Sequence, residues 1–204
     1  MEEADTLTFV RALCALVPLD DADIHAARAL VRPRELPAGH YLLRAGEMAS
    51  EVAIVVRGLM REHFVMADGS DRTKAFVTEG QPTGSLADLL SGVPSRAFIV
   101  AEEPTRVLVG RFDEMVALAD RSEGMRRYGV RLMQRVLLSK CEREYEFLGL
   151  DAEARYAAFQ ARYPGLEQRI AGYHIASYLG ITPVHLSRLR RRRGSGRQPR
   201  AANR

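Results

Sequence analysis

The stretch Gly172–Arg191, GYHIASYLGITPVHLSRLRR, decides how the rest of the chain is read. Apolar residues fall at Ile175, Leu179, Ile181, Leu186 and Leu189, with small Ala176 and Gly180 among them. Two short helices crossing steeply need that pattern. A small residue lets them approach, a glycine makes the tight turn, and the apolar set fills the corner. Thr182-Pro183 predicts the start of the second helix, because a threonine side chain accepts from the orphan amides of a first turn and proline is tolerated at the first helical position. That helix carries His185, Ser187, Arg188, Arg190 and Arg191 away from its apolar side. The pattern predicts a helix-turn-helix whose second helix reads DNA.

The charge distribution agrees. Gln168–Arg204 holds nine arginines and no Asp or Glu, so a net charge of +4 leaves residues 1–167 at −5. Positive charge gathered at one end is the footprint of nucleic-acid binding. With 204 residues, 47% of them hydrophobic, the chain can bury one large domain or two small ones. No apolar run approaches the roughly 20 residues of a membrane span, and MEEADTLTF lacks the layout of a signal peptide. Cys14 and Cys141 are too few for a disulfide framework, and no CxxC pair suggests zinc. A reduced, cytoplasmic protein without membrane contact is expected.

Upstream, the period of the sequence changes twice. Residues 5–16 place Leu7, Val10, Leu13 and Cys14 on one helical face, and a second helix starts at Asp20 or Asp21. From RPRELPAGHYLLRAGE onward the segments are short and β-branched: VAIVVRG, LMREHFVM, DRTKAFV after the turn Ala67–Ser70, RAFIVA and RVLVG. Strands at this spacing, separated by Gly and Pro, predict a sandwich or jelly-roll barrel. Helical period returns at Phe112 and holds to about Leu148. Val130, Met133, Leu137, Cys141, Glu144 and Leu148 form one row, and Tyr128, Leu132 and Val136 another. A helix apolar on two faces must be covered on two sides, here by its own barrel and by the same helix of a second chain. Gly149 ends it, Asp151 caps a helix over 152–162, and Pro164-Gly165 stops that one. The expected organisation is an α+β chain with a sensor barrel over 1–120, a dimerisation helix over 121–149 (paired through 122–148), a helix-turn-helix domain over 150–193 and a basic disordered tail over 194–204.

This order of parts resembles the Crp–Fnr family of bacterial transcription regulators over nearly the whole chain. The resemblance rests on HIASYLGITPVHLSRLRR (His174–Arg191), on the barrel glycines Gly39, Gly46 and Gly58, and on GSLADLLSGVPSRAFIVA (Gly84–Ala101). The last is similar to the phosphate-binding cassette of the cyclic-nucleotide-binding fold and implies a pocket at Gly84, Ser85, Leu86, Ser95, Arg96 and Ala97. In nucleotide-binding members a Gly-Glu carboxylate holds the ribose 2′-hydroxyl, and an Arg some eleven residues on grips the cyclic phosphate. Here Ser85 stands at the Glu position and Ser95 at the Arg position, with Arg96 one place late. In a strand, one place turns a side chain to the opposite face. Losing a charge-assisted hydrogen bond costs about 1.5–3 kcal/mol, so a cyclic nucleotide is not the expected effector and an unidentified small ligand stays open. No cofactor is expected. An iron–sulfur cluster needs about four cysteines, and His25, His40 and His63 lack recognisable partners as haem ligands.

At the DNA, the resemblance implies that Thr182 caps the recognition helix and that Pro183, Val184 and Arg188 face bases. Arg188 is the strongest candidate, since bidentate Arg to guanine O6/N7 is the commonest specific contact. Val184, where the family often has Glu, can offer only apolar contact. His185 and Ser187 supply further bonds, while Arg190, Arg191, Arg192, Arg193 and the tail contact phosphates. Little chain remains to build a terminal β-wing, so most of the wing is expected to be lacking. A twofold dimer would set two such helices in successive major grooves of a near-palindromic duplex, with RNA polymerase as a further partner. The alternative is a cAMP- or cGMP-binding signalling module without DNA contact. Catalysis is not expected: no HxH pair, nucleophile elbow, P-loop or HExxH occurs.

Overall fold

The β-branched runs pair into two four-stranded antiparallel sheets in the computed structural model, which describes residues 2–195. Helices α1 (Glu3–Cys14) and α2 (Asp21–Ala29) precede strands β1 (Val31–Leu36), β2 (Tyr41–Leu43), β3 (Glu51–Arg57), β4 (Met60–Val65), β5 (Asp71–Val77), β6 (Pro82–Thr83), β7 (Ala97–Ala101) and β8 (Thr105–Arg111). A short helix, α3 (Leu86–Ser91), lies between β6 and β7. Then follow α4 (Phe112–Arg121), α5 (Glu123–Gly149), α6 (Ala152–Arg162), α7 (Gly172–Leu179) and α8 (Pro183–Ser195).

The sheet orders are β1-β8-β3-β6 and β2-β7-β4-β5, so every neighbour but β4-β5 is distant in sequence, as in a jelly roll. Period-two alternation sorts the side chains. Ala53, Val55, Val107 and Val109 of the first sheet face Met60, Val77, Ile99 and Ala101 of the second and form the inner core. Ile54 and Leu108, one residue out of phase and paired in register, turn to the other face. There they meet Phe9, Leu13, Ala27, Leu118 and Met125 from α1, α2, α4 and α5. Gly58, at the β3–β4 turn, has φ +103°, and a Cβ there would lie 2.5 Å from the Thr105 hydroxyl. The adjacent Leu59 amide donates to that hydroxyl at 3.1 Å.

Helix ends follow the local chemistry. Asp20 accepts from the Asp23 amide at 2.8 Å and starts α2. The period from Phe112 is broken once, at Ser122, whose hydroxyl accepts from the Met125 amide at 3.0 Å and starts α5 as a separate helix. Asp151 caps α6 through the Ala154 amide at 2.8 Å.

The chain divides into two compact units between Glu142 and Arg143, inside α5. What groups the last turns of α5 with the second unit is visible there. Arg143 lies over the rings of Tyr178 (3.6 Å) and Phe147 (4.3 Å) and donates to the Tyr178 carbonyl. Buried Glu146 accepts from Arg162 at 2.5 Å and Arg143 at 2.9 Å. The core of this unit is Tyr156, Phe159, Leu166, Ile175, Tyr178, Leu179, Leu186 and Leu189.

On α5 the row Val130, Met133, Leu137, Cys141, Glu144 and Leu148 is exposed in one protomer except for half-buried Met133, and Tyr128, Leu132 and Val136 are half-buried. Leu137 and Leu148 are 61% and 81% exposed. Among the described residues no strand follows β8, and no helix is long and apolar enough to cross a membrane.

Candidate nucleic-acid interface and sensor cassette

In the second unit α7 and α8 pack on one another across the turn at Gly180, with Ile181 half-buried. Ile175, Ala176, Leu179, Leu186 and Leu189 are buried between α7 and α8. Gly180 ends α7 in the left-handed region at φ +67°, and the Ile181 amide donates back to the Ala176 carbonyl at 3.0 Å. A side chain at 180 would be strained by that φ and would also meet the Phe147 ring at 2.9 Å. Thr182 Oγ1 then accepts from the His185 amide at 3.2 Å, and Pro183 is the first residue of α8.

With Leu186 and Leu189 turned inward, Thr182, Pro183, Val184, His185, Ser187, Arg188, Arg191 and Arg192 are exposed. They form one surface across the first turns and outer face of α8. Arg190 is placed differently. It donates through Nε to Glu167 at 2.9 Å, and Glu167 also accepts from Tyr156 Oη at 2.8 Å and Gln160 at 3.0 Å. Burial works to raise the Glu167 pKa, but these hydrogen bonds and the Arg190 charge outweigh it and leave it below the ordinary value. Arg190 therefore fastens α8 to the unit's core, a role the arginine run does not announce. Its Nη1 also stands 3.2 Å from where a Cβ at Gly172 would lie, so the glycine at the start of α7 makes room for it. The helix continues to Ser195, two residues into the segment expected as a tail; Arg193's side chain and the tail residues 196–204 lie outside the described residues.

In the first unit the cassette residues converge on a group that the sequence reading passed over. Ser85 and Ser95 are both buried, and their hydroxyls donate to the same Asp88 oxygen at 2.5 and 2.6 Å. Ser95 in turn accepts from the Ala97 amide at 3.0 Å. The Arg96 side chain is exposed between inward-facing Ser95 and Ala97. The shift of the arginine by one place thus turns it outward. Burial pushes the Asp88 pKa up, but the two serine hydroxyls and the charge of Lys74 overcome this and hold it below the ordinary carboxylate value. Gly84 closes against Val52, and Leu86 opens α3. Deeper in the sheet, buried Glu62 accepts from Lys74 at 2.8 Å and from the Thr83 hydroxyl at 3.2 Å.

Asp88 carried a weak signal. It is the only acid between Gly84 and Ala101, in a cassette whose expected acid is missing. The histidines weighed as haem ligands do not come together: His63 is buried and stacked on Phe98 at 5.1 Å. Among the described residues no three His, Cys, Asp or Glu side chains are grouped to hold a metal ion.

Comparison with known proteins places this geometry. Residues 33–122 match the cyclic nucleotide-binding domain family. No match is found among curated protein sequences. Solved structures of similar fold include FixK2 from Bradyrhizobium japonicum, at 20% identity over 85% of this chain and 90% of that one, with a TM-score of 0.67. The regulator CLP of Xanthomonas campestris, described as c-di-GMP-responsive, is 14% identical over 90% and 96% of the two chains, with a TM-score of 0.68. The catabolite activator protein of Thermus thermophilus is 23% identical over 94% and 91%, with a TM-score of 0.57. These neighbours are Crp–Fnr-family regulators, so the resemblance drawn from the motifs extends to the fold of both units.

Proposed function

We propose that this chain, whose residues 33–122 match the cyclic nucleotide-binding domain family, is a homodimeric, sequence-specific DNA-binding transcription regulator. The observation that carries the reading is the sorting of α8. Its apolar residues are buried against α7, while Arg188, Arg191 and Arg192 stand exposed beside Thr182–His185 on one surface. Arg188 is assigned to a guanine edge, Pro183 and Val184 to apolar base contact, and His185 and Ser187 to further base or phosphate bonds. Arg191 and Arg192 are assigned to phosphates. Arg190, held by Glu167, is reassigned from phosphate contact to positioning α8.

Dimerisation is proposed through the exposed row of α5. Four large apolar side chains on this helix (Val130, Leu137, Leu138 and Leu148) stand more than half exposed in one protomer. Covering what each still exposes contributes a share of the roughly 1.5–3 kcal/mol that full burial of such a side chain supplies. A parallel pairing would bring two α8 helices to adjacent major grooves of a near-palindromic site.

The barrel is proposed as a sensor in which neither cAMP nor cGMP is the effector, because no carboxylate or guanidinium stands at the two positions that would hold one. RNA polymerase is the further partner such a regulator would meet. Selection of bound duplexes from a random pool, with and without cyclic nucleotides, tests the reading. The same experiment addresses a nucleotide-dependent module, the reading favoured by the domain match alone.

A further inference from the structure

Helix α3 is six residues long and buries none of them; Leu90 at its end is 62% exposed. So short a helix has little intrinsic stability, and its apolar residues Leu86 and Leu89 are only half-buried. What joins it to the barrel is Asp88. Its carboxylate reaches from the middle of α3 to Ser95, on the far side of the Gly92–Pro94 turn, and accepts from the buried Ser85 hydroxyl before the helix. The charge of Lys74, itself paired with Glu62, also favours the ionised carboxylate. Two buried hydroxyls aimed at one carboxylate oxygen make an anion-accepting pair.

We infer that the Ser85 and Ser95 hydroxyls form an anion site whose resident occupant is the chain's own Asp88 carboxylate, which latches α3 over the barrel. This deepens the sensor reading of the barrel and does not depend on DNA binding. The donors are satisfied from within, so an external phosphate would have to displace a carboxylate covalently tethered at very high effective concentration. It would also meet that carboxylate's negative charge. The input site is then closed to cyclic nucleotides by occupation as well as by its missing Glu and Arg. An anion that did displace Asp88 would release α3, coupling ligand entry to movement of an exposed apolar helix.

Thermal unfolding of the full chain, with acetate, inorganic phosphate or cAMP as probes, tests this. Wild type should melt at the same temperature with or without millimolar acetate, phosphate or cAMP. Asp88→Ala should melt lower by roughly 3–10 °C and recover part of the loss in acetate or phosphate, which fill the vacated site. The triple variant Asp88→Ala/Ser85→Ala/Ser95→Ala should lose that recovery. Asp88→Asn, which keeps an acceptor for the hydroxyls, should melt between wild type and Asp88→Ala and serves if the alanine variant does not fold. Three results would overturn the inference: anions raising wild type and Asp88→Ala equally, recovery persisting in the triple variant, or Asp88→Asn melting like wild type. Because the readout is melting of the barrel, a failure of DNA binding leaves it unaffected.

Discussion

Arg190 donates through Nε to the Glu167 carboxylate at 2.9 Å, and that bond divides the arginines of α8 into two kinds. Arg188 sits two residues away, on the exposed side of the helix. A run of basic residues that looks uniform in sequence therefore has a structural member and a surface set.

Arg190→Ala should cost stability with little change in base preference. Both side chains of the pair are partly exposed (38% and 27%), and screening holds its worth to about 1 kcal/mol or less. The expected result is a small fall in the melting temperature of the C-terminal unit, with the ranking of DNA sites unchanged. A changed ranking would return Arg190 to the interface.

Arg188→Ala and Arg192→Ala should separate base reading from phosphate anchoring. The first should relax preference at one position of the half-site by about 1–3 kcal/mol. The second should weaken binding to every duplex alike and reduce the slope of affinity against salt by about one. Binding titrations on matched and mismatched duplexes at several salt concentrations distinguish them. Equal loss on all sequences for both variants would remove the role assignment.

Leu137→Asp should convert a dimer to a monomer. Leu137 is 61% exposed in the protomer, so its own barrel does not depend on it, whereas a charge on a buried seam is costly. Sedimentation should report half the wild-type mass with the barrel's melting preserved. A wild type that is already monomeric at micromolar concentration would remove the pairing through α5.

The barrel should lose stability in acid through Asp5. This carboxylate is 1% exposed on α1 and accepts from Arg106 of β8 at 2.8 and 2.9 Å. The Arg106 hydrogen bonds, opposed by burial, hold its pKa below the ordinary 3.8. A carboxylate depressed in the folded state stabilises it fully above the unfolded value and loses that contribution as pH falls through the folded one. Wild type should thus destabilise below about pH 4, its melting temperature falling steadily. Arg106→Ala should lower the melting temperature near neutral pH by leaving Asp5 buried without its charged partner. An Arg106→Ala protein as stable as wild type would contradict this.

Local signals reached most of the architecture. Thr182-Pro183, Gly180 and Asp151 announce helix boundaries because capping depends on residues within three or four positions. The strands were legible because alternation at Ala53–Val55 and Val107–Val109 reports two different faces. What escaped joins distant positions. Asp5 and Arg106 lie 101 residues apart, and Arg190 and Glu167 lie 23 apart across a turn. Neither pair has a spacing that sequence periodicity can mark. The partners of the last turns of α5 are distant in the same way. Gly149 ends α5, but Arg143 and Glu146 belong with Tyr178 and Arg162, partners 16–35 residues downstream. At the cassette the outward turn of Arg96 followed from strand alternation, whereas the capture of both serines by Asp88 required the helix between them to be built.

Selection of bound sites from a random duplex pool by the full chain, run without ligand and with cAMP or cGMP, tests the central claim most directly. The account predicts an enriched near-palindrome whose half-sites lie about one helical turn apart, roughly 34 Å, recovered equally in all three conditions. Absence of enrichment in every condition would contradict DNA recognition by α8. Enrichment only in the presence of a cyclic nucleotide would contradict an input site closed by Asp88.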